Sequence, residues 1–325
     1  TQAVTAGVPG VLNNFPTGQP RDRVGLAEWL VDPANPLTAR VVVNRVWQSY
    51  FGQGLVTTPE DFGVRSDPPS HPELLDWLAS EWVSPTRGKG SARPWSLKDL
   101  HRLIVSSETY QQSSRVSPDA LERDPGNRLL ARGPRFRVDA ETIQDIALKA
   151  SGLLSAKVGG PSVFPPIPDG VMALAYGPIP WNVSEGDDRF RRAMYTFWKR
   201  SAPYPALMAF DAPPADQSCV RRIRSNTPLQ ALVTLNDPTF HQAARWLGWR
   251  ALSQAGDDAS RLDWLFRRCA SRRPTQDERG VLLQLLSEAR AEFSGRSGDA
   301  SAFALSDPKS PPPLPEGSGV GDLAA

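Results

Sequence analysis

The sequence predicts a mainly α fold: an irregular helical domain with a Pro/Gly-rich loop insertion and few or no short strands. Three observations carry that prediction. Helix-start signals recur along the chain, each a Ser, Thr, Asp or Asn followed by proline in the first turn or by an acidic or amide residue three positions on. Behind those signals the apolar residues fall at three- and four-residue spacing rather than in alternation. Prolines and glycines crowd the one long stretch where that periodicity stops, residues 154–217.

Taken in order, Asn35 is placed to cap and Pro36 to open a helix whose Val43, Val46, Trp47 and Tyr50 share a face until Gly52 ends it. Ser70 with Glu73 reads as a capping box, followed by Leu74, Trp77, Leu78 and Trp82 at helical spacing. Ser96 with Asp99 repeats the device ahead of Leu97, Leu100, Leu103 and Ile104, and Asp139 caps a helix carrying Ile143, Ile146, Ala147 and Ala150. In 154–217 the runs PSVFPPIPDG, GPIPW, SAPYP and DAPP break every pattern, because proline fixes φ and removes a donor. Within that stretch RRAMYTFWKR alternates like a strand at Tyr195 and Phe197 and also suits a helix. Thr227 with Gln230 is a capping box with Pro228 at the first helical position, and Leu229, Leu232 and Val233 follow as the apolar face. Asp237 caps the next helix, with Phe240, Ala243, Ala244 and Leu247. A further helix carries Leu262, Leu265, Phe266 and Cys269, and the last opens at Thr275–Glu278 ahead of Leu282, Leu285, Leu286 and Phe293. The expected total is about eight helices.

At 325 residues the chain can bury a substantial core, and its 40% hydrophobic and 22% charged content is that of a globular protein. The net charge of +2 argues against a nucleic-acid partner, and no apolar run reaches the roughly 20 residues of a membrane span. Cys219 and Cys269 cannot make a zinc site alone; they could form one disulfide, although Cys269 continues a helical stripe as a small apolar residue would. His71, His101 and His241 show no metal-ligand spacing, and no haem-attachment motif, nucleophile elbow, Walker loop or dinucleotide fingerprint is present. No metal and no cofactor is expected in this chain.

Several stretches, in this order, resemble a known family: NPLTARVVVNRVWQSYFGQGLVTTPEDFG, HPELLDWLAS, WSLKDLHRLIVSSETYQQSS, DPGNRLLARGPRFRVDAETIQDIAL, EGDDRFRRAMYTFWKRSAPYP, and FDAP followed by CVRRIRSNTPLQALVTLND. The family is the planctomycete-specific C-terminal domain known as domain of unknown function 1553, and the resemblance runs over roughly residues 20 to 295. It implies a module at the end of a large exported protein, behind a sister domain and often a cytochrome c domain. The expectations it brings are an extracytoplasmic location in periplasm or cell envelope, the preceding domains as partners, and haem only in domains outside this chain. Residues 1–20 are then an extension from a preceding domain, 21–295 a mostly helical domain with 154–217 as its insertion, and 296–325 a Pro/Gly/Ser-rich tail truncated before a closing helix. The resemblance implies no reaction.

The densest charge lies in SCVRRIRSNTPLQALVTL, where Arg221, Arg222 and Arg224 precede the helix capped at Thr227. A helix N-terminus already carries roughly half a positive charge, so three guanidiniums there need an anion. It is either a ligand such as an acidic or sulfated glycan, or a carboxylate nearby in sequence: Asp187, Asp188, Asp211 or Asp216. In the irregular segment Trp181 and Trp198 are placed to stack on sugar faces, whereas Trp47, Trp77 and Trp264 follow core stripes. Arg191, Arg192, Lys199 and Arg200 around Trp198 suit an acidic glycan, a solvated edge or a neighbouring domain. Asp187, Asp188 and Asp211 are the candidates for acid/base work in a second reading, a cell-envelope polysaccharide hydrolase using paired carboxylates; Asp237 reads as a helix cap.

Overall fold

The computed structural model describes residues 5–87, 92–171, 180–305, 314 and 317–325. They are mainly α-helical: fourteen α-helices occur among the described residues, and the one β pairing among them is an isolated parallel bridge between Val163 and Thr196. The helices beyond the expected eight are mostly short, too short for periodicity to reveal. The chain forms two compact units, Thr1–Arg137 and Val138–Ala325.

In the N-terminal unit α1 (Arg23–Val31) starts where the Asp22 carboxylate accepts the N–H groups of Val24 and Gly25. Gly25 has to be glycine, since a Cβ there would lie 2.2 Å from the Pro20 carbonyl oxygen. α2 (Thr38–Phe51) starts two residues later than an Asn35 cap with Pro36 in the first turn would place it: Leu37 is the N-cap, and Asn35 Oδ1 instead accepts from Leu37 N and Thr38 N at 3.0 and 3.1 Å in the turn ahead of the helix. Gly52 ends α2 in the left-handed region and donates to Gln48 O. α3 (Pro72–Val83) begins one residue later than a Ser70–Glu73 box would place it, because His71 is the N-cap and the Ser70 hydroxyl is drawn to His71 Nδ1 at 3.0 Å. Its buried face is Leu75, Leu78, Ala79 and Trp82, one residue round from the expected stripe, so Trp77 is 38% exposed beneath the Arg87 guanidinium. Ser96 caps α4 (Leu97–Val105) as expected, and α5 (Glu108–Gln111) and α6 (Pro118–Arg123) complete the unit. The core joins Val43, Trp47 and Phe51 of α2 to Leu75, Leu78 and Trp82 of α3 and to Leu100 and Ile104 of α4.

One buried polar side chain shapes the turn after α2. Asn44 is wholly enclosed, donating to Val56 O at 3.1 Å and accepting from Val56 N at 2.9 Å, so it acts as a strand partner for the loop. Gly54 passes so close that a Cβ would sit 2.6 Å from Asn44 Nδ2. Replacing Asn44 by Ala strands both backbone groups of Val56 in the interior. A loss of about 3 kcal/mol is expected, read as a lower urea midpoint at unchanged slope.

In the C-terminal unit α7 (Ala140–Ser151) packs along α10 (Pro238–Leu252), which also meets α9 (Pro228–Asn236) and α11 (Asp258–Ala270). α8 (Pro205–Ala209) brings Tyr204, Ala206 and Leu207 against Phe210 and Phe240. Tyr204 is fully buried, donates to Pro166 O at 3.0 Å, and has its phenol pushed far above the usual tyrosine range by desolvation. The Asp237 cap and the Thr275–Glu278 box of α12 (Gln276–Ser294) form as the sequence predicts. The tail contributes α13 (Ser297–Leu305) and α14 (Val320–Ala324), whose Ala300, Ala304, Leu323 and Ala324 cluster with Leu252. Cys219 and Cys269 are unbridged and exposed, so Cys269 is not a core residue. Trp264 is half-buried, with Arg250 and Arg268 over its ring.

Two helices depart from the expected faces, one at a single position. α7 buries Ala150 and packs Ile143 and Ala147 on the core as expected, with Gln144 and Leu148 beside them, while Ile146 is exposed. α9 opens with the expected Thr227–Gln230 capping box but buries Gln230 and leaves Leu229 67% exposed, with Leu232 and Leu235 also outside. The buried Gln230 bonds the loop before α9, its Nε2 donating to Ser225 Oγ at 3.1 Å and its Oε1 accepting from Thr227 N at 3.4 Å.

Candidate functional site: an aromatic groove in the proline-rich segment

The ambiguous RRAMYTFWKR becomes a 3₁₀ turn, Ala193–Tyr195, flowing into the bridge at Thr196. Val163 N donates to Tyr195 O and Phe197 N to Val163 O, both at 2.8 Å, so two short extended segments lie side by side. That pairing sets Phe164 and Phe197 in a stack, ring centroids 5.0 Å apart at 27°. Trp181 meets Phe164 edge-on at 5.2 Å and stacks on Tyr204 at 6.0 Å, with its indole N–H donating to Pro165 O at 2.7 Å. The Trp198 indole donates to Pro214 O at 3.0 Å. Each indole is fixed by a proline carbonyl, and a carbonyl preceded by a locked φ is a rigid acceptor.

The rings of Phe164, Trp181, Phe197 and Trp198 line one open groove of about 810 Å³, together with Pro180, Lys199, Arg200, Ser201 and Asp216. Sequence reading finds Trp181, Trp198, Lys199 and Arg200; it misses Phe164 and Phe197 as lining residues. The alternation at Tyr195 and Phe197 is the available signal, but the bridge that uses it joins residues 33 positions apart.

Arg191 lies beneath this surface and cannot reach a ligand, being 1% exposed. Its guanidinium donates to Gly159 O at 2.5 Å and Pro161 O at 3.1 Å, with Lys157 O at 3.4 Å, and lies over the Tyr195 ring at 3.7 Å. Arg192 pairs at 2.8 Å with Asp145 of α7, whose other oxygen accepts Ala193 N.

The arginines ahead of α9 meet internal anions, and the carboxylates paired with Arg222 lie far from it in sequence. Arg222 forms a fork with Glu141, at 2.5 and 3.1 Å, and Arg224 lies 3.6 Å from Asp139. Both acids belong to the start of α7, and Asp139, although at the N-cap, makes no side-chain cap bond. Arg221 is exposed. Asp188 pairs with Lys157 at 2.8 Å, and Asp211 accepts both the N–H and the hydroxyl of Ser225. Asp187 stands in the 3₁₀ turn Gly186–Phe190. Asp237 is buried at the α10 cap and pushed up by desolvation. His101 Nδ1 meets the Tyr50 hydroxyl at 2.9 Å; His241 packs edge-on against Phe303, and burial lowers its pKa. Among the described residues no group of three His, Cys, Asp or Glu is arranged to hold a metal ion.

The family model described as PSD1, protein of unknown function (DUF1553), matches residues 22–286. The chain belongs to this DUF1553 family. No curated protein and no solved structure matches the chain.

The Glu141–Arg222 fork gives a pH signature. Burial pushes the Glu141 carboxyl up, but the hydrogen bond and charge of Arg222 outweigh it and hold the carboxyl below its ordinary value. A depressed carboxyl contributes stability above the unfolded value, about 4.3, and loses it as pH falls through the folded one. Glu141→Gln is expected to cost about 1 kcal/mol at pH 7, after allowance for solvent screening. It should also flatten the acid limb of a stability profile between about pH 6 and pH 3, measured by thermal melts; parallel limbs for the two proteins would contradict the assignment.

Proposed function

We propose that this DUF1553 domain is a binding module whose aromatic groove takes up an anionic glycan, an acidic or sulfated oligosaccharide, in the cell envelope. The observation that supports it is the convergence of Phe164, Trp181, Phe197 and Trp198 on one open groove beside Lys199 and Arg200. Rigid rings offer apolar faces to sugar carbons at little entropic cost, while a guanidinium and an ammonium at the edge match carboxylate or sulfate groups. Concave, largely aromatic surfaces with a few polar groups are the usual form of ligand sites. The hydrolase reading gains nothing from Asp188 and Asp211, each committed to a partner of its own.

The envelope setting, and a place behind further domains, are proposals that rest on the family resemblance. No described helix is long and apolar enough to cross a membrane.

Calorimetric titration with polygalacturonate and chondroitin sulfate oligosaccharides, against neutral oligosaccharides of equal length, tests the reading. Binding of an acidic series is expected, with tryptophan fluorescence changing on saturation. Lys199→Glu with Arg200→Glu should weaken it at least tenfold, about 1.4 kcal/mol. Trp198→Ala should weaken it comparably without lowering the melting temperature by more than a few degrees. Equal affinity for neutral chains, or none for any acidic one, would refute it.

A further inference from the structure

A second cavity lies wholly within the N-terminal unit and has a different character. It encloses about 460 Å³ between the turn after α2, residues 52–57, and the loop 125–136. Its apolar wall includes Phe51, Leu55 and Phe136, its polar wall Thr57, Ser70 and Asn127. Three arginines, Arg128, Arg132 and Arg135, also line it, and no aspartate or glutamate does. The acid just ahead of the loop, Asp124, is turned to the backbone, accepting the N–H groups of Arg128 and Leu129 at 2.8 Å each. Those bonds, that of Leu129 foremost, with the charges of Arg132 and Arg128, hold its carboxyl below the usual range; Asp67 accepts the Thr57 hydroxyl at 3.4 Å, so two negative charges stand beside three positive ones.

The walls are fixed before any ligand arrives. Arg132 is anchored through Nη2 to the carbonyls of Asp124 and Pro125, at 2.9 Å each, and Asn127 Nδ2 holds Arg132 O at 2.8 Å. Gly133 lies so close to the chain before it that a Cβ would be 2.5 Å from Gln112 O. Two buried polar atoms in this frame, Arg132 Nη1 and Asn127 Oδ1, find no partner among the described residues. Both atoms are closed to solvent and belong to the frame, so the surface offered to a ligand is that of the exposed Arg128 and Arg135 side chains.

We infer that this cavity is a binding site for a small organic anion: a carboxylate, sulfate ester or phosphate ester on a body about the size of a sugar ring. Arginine forks recognise each of these oxyanions in a plane, and the Phe51, Leu55 and Phe136 side accepts the carbon face. The site shares no residue with the aromatic groove and does not depend on it.

The full chain is titrated calorimetrically with glucuronate, glucose 6-sulfate, glucose 6-phosphate, inorganic sulfate and glucose at constant ionic strength. At least one organic anion should bind while glucose does not, and which one binds names the oxyanion. Arg128→Gln with Arg135→Gln, both exposed side chains, should weaken that binding at least tenfold, and Arg135→Glu alone should abolish it. Lys199→Glu with Arg200→Glu should leave it unchanged, which separates this site from the groove. Binding of glucose equal to that of its esters, binding of inorganic sulfate alone, or affinity indifferent to Arg128 and Arg135 would each overturn the inference.

Discussion

A guanidinium with no access to water holds the irregular part of the C-terminal unit together. Arg191 is enclosed and has main-chain carbonyls of the 157–161 loop on one side and the Tyr195 ring on the other. Burying a charge is costly unless strong dipoles meet it, and here carbonyls meet both terminal nitrogens and an aromatic face meets the guanidinium plane, while Nε has no partner among the described residues. The Asp188 carboxylate feels that charge as well as that of Lys157. Because the loop is tied at Arg191, Val163 can pair beside Thr196, and the rings of Phe164 and Phe197 are aligned by that pairing. The groove is thus a consequence of one buried cation beneath its surface.

The same unit solves the opposite problem ahead of α9. There the cations are partly exposed, and the start of α7 supplies the anions, so that two helix beginnings and the Arg222 and Arg224 guanidiniums occupy one neighbourhood. Glu141 sits in the first turn of α7, where a negative charge is favoured by the helix dipole as well as by Arg222. Asp211, at positive φ, does related work from the other side, gripping Ser225 through its N–H and hydroxyl. The loop between Phe210 and α9 is therefore stitched by polar contacts where it lacks apolar ones.

Helix starts are the most legible part of the chain. Ser96, Asp237 and Thr275 announce themselves because a cap is a bond between neighbours, decided within three or four residues. Which face a helix buries is decided by the element lying opposite, and periodicity misses it: Leu75 goes inside in place of Trp77, and Gln230 is buried while Leu229 stays out. The same limit governs the site. Trp181 and Trp198 can be named from their setting, but the carboxylate facing Arg222 lies 81 positions away and no spacing rule reaches it. The arginines of the loop 125–136 become a group only once the turn after α2 is set across from them, and no local pattern announces that juxtaposition.

The ligation of Arg191 by main-chain oxygens has an evolutionary corollary. A carbonyl is common to every residue type, so the letters at Lys157 and Pro161 can drift without weakening the grip on the cation. What selection must preserve instead is the path of the chain, and with it the left-handed torsions of Gly159 and Gly160. The shape of this stretch is thus set by two glycine torsions and one distant arginine rather than by the side chains it carries.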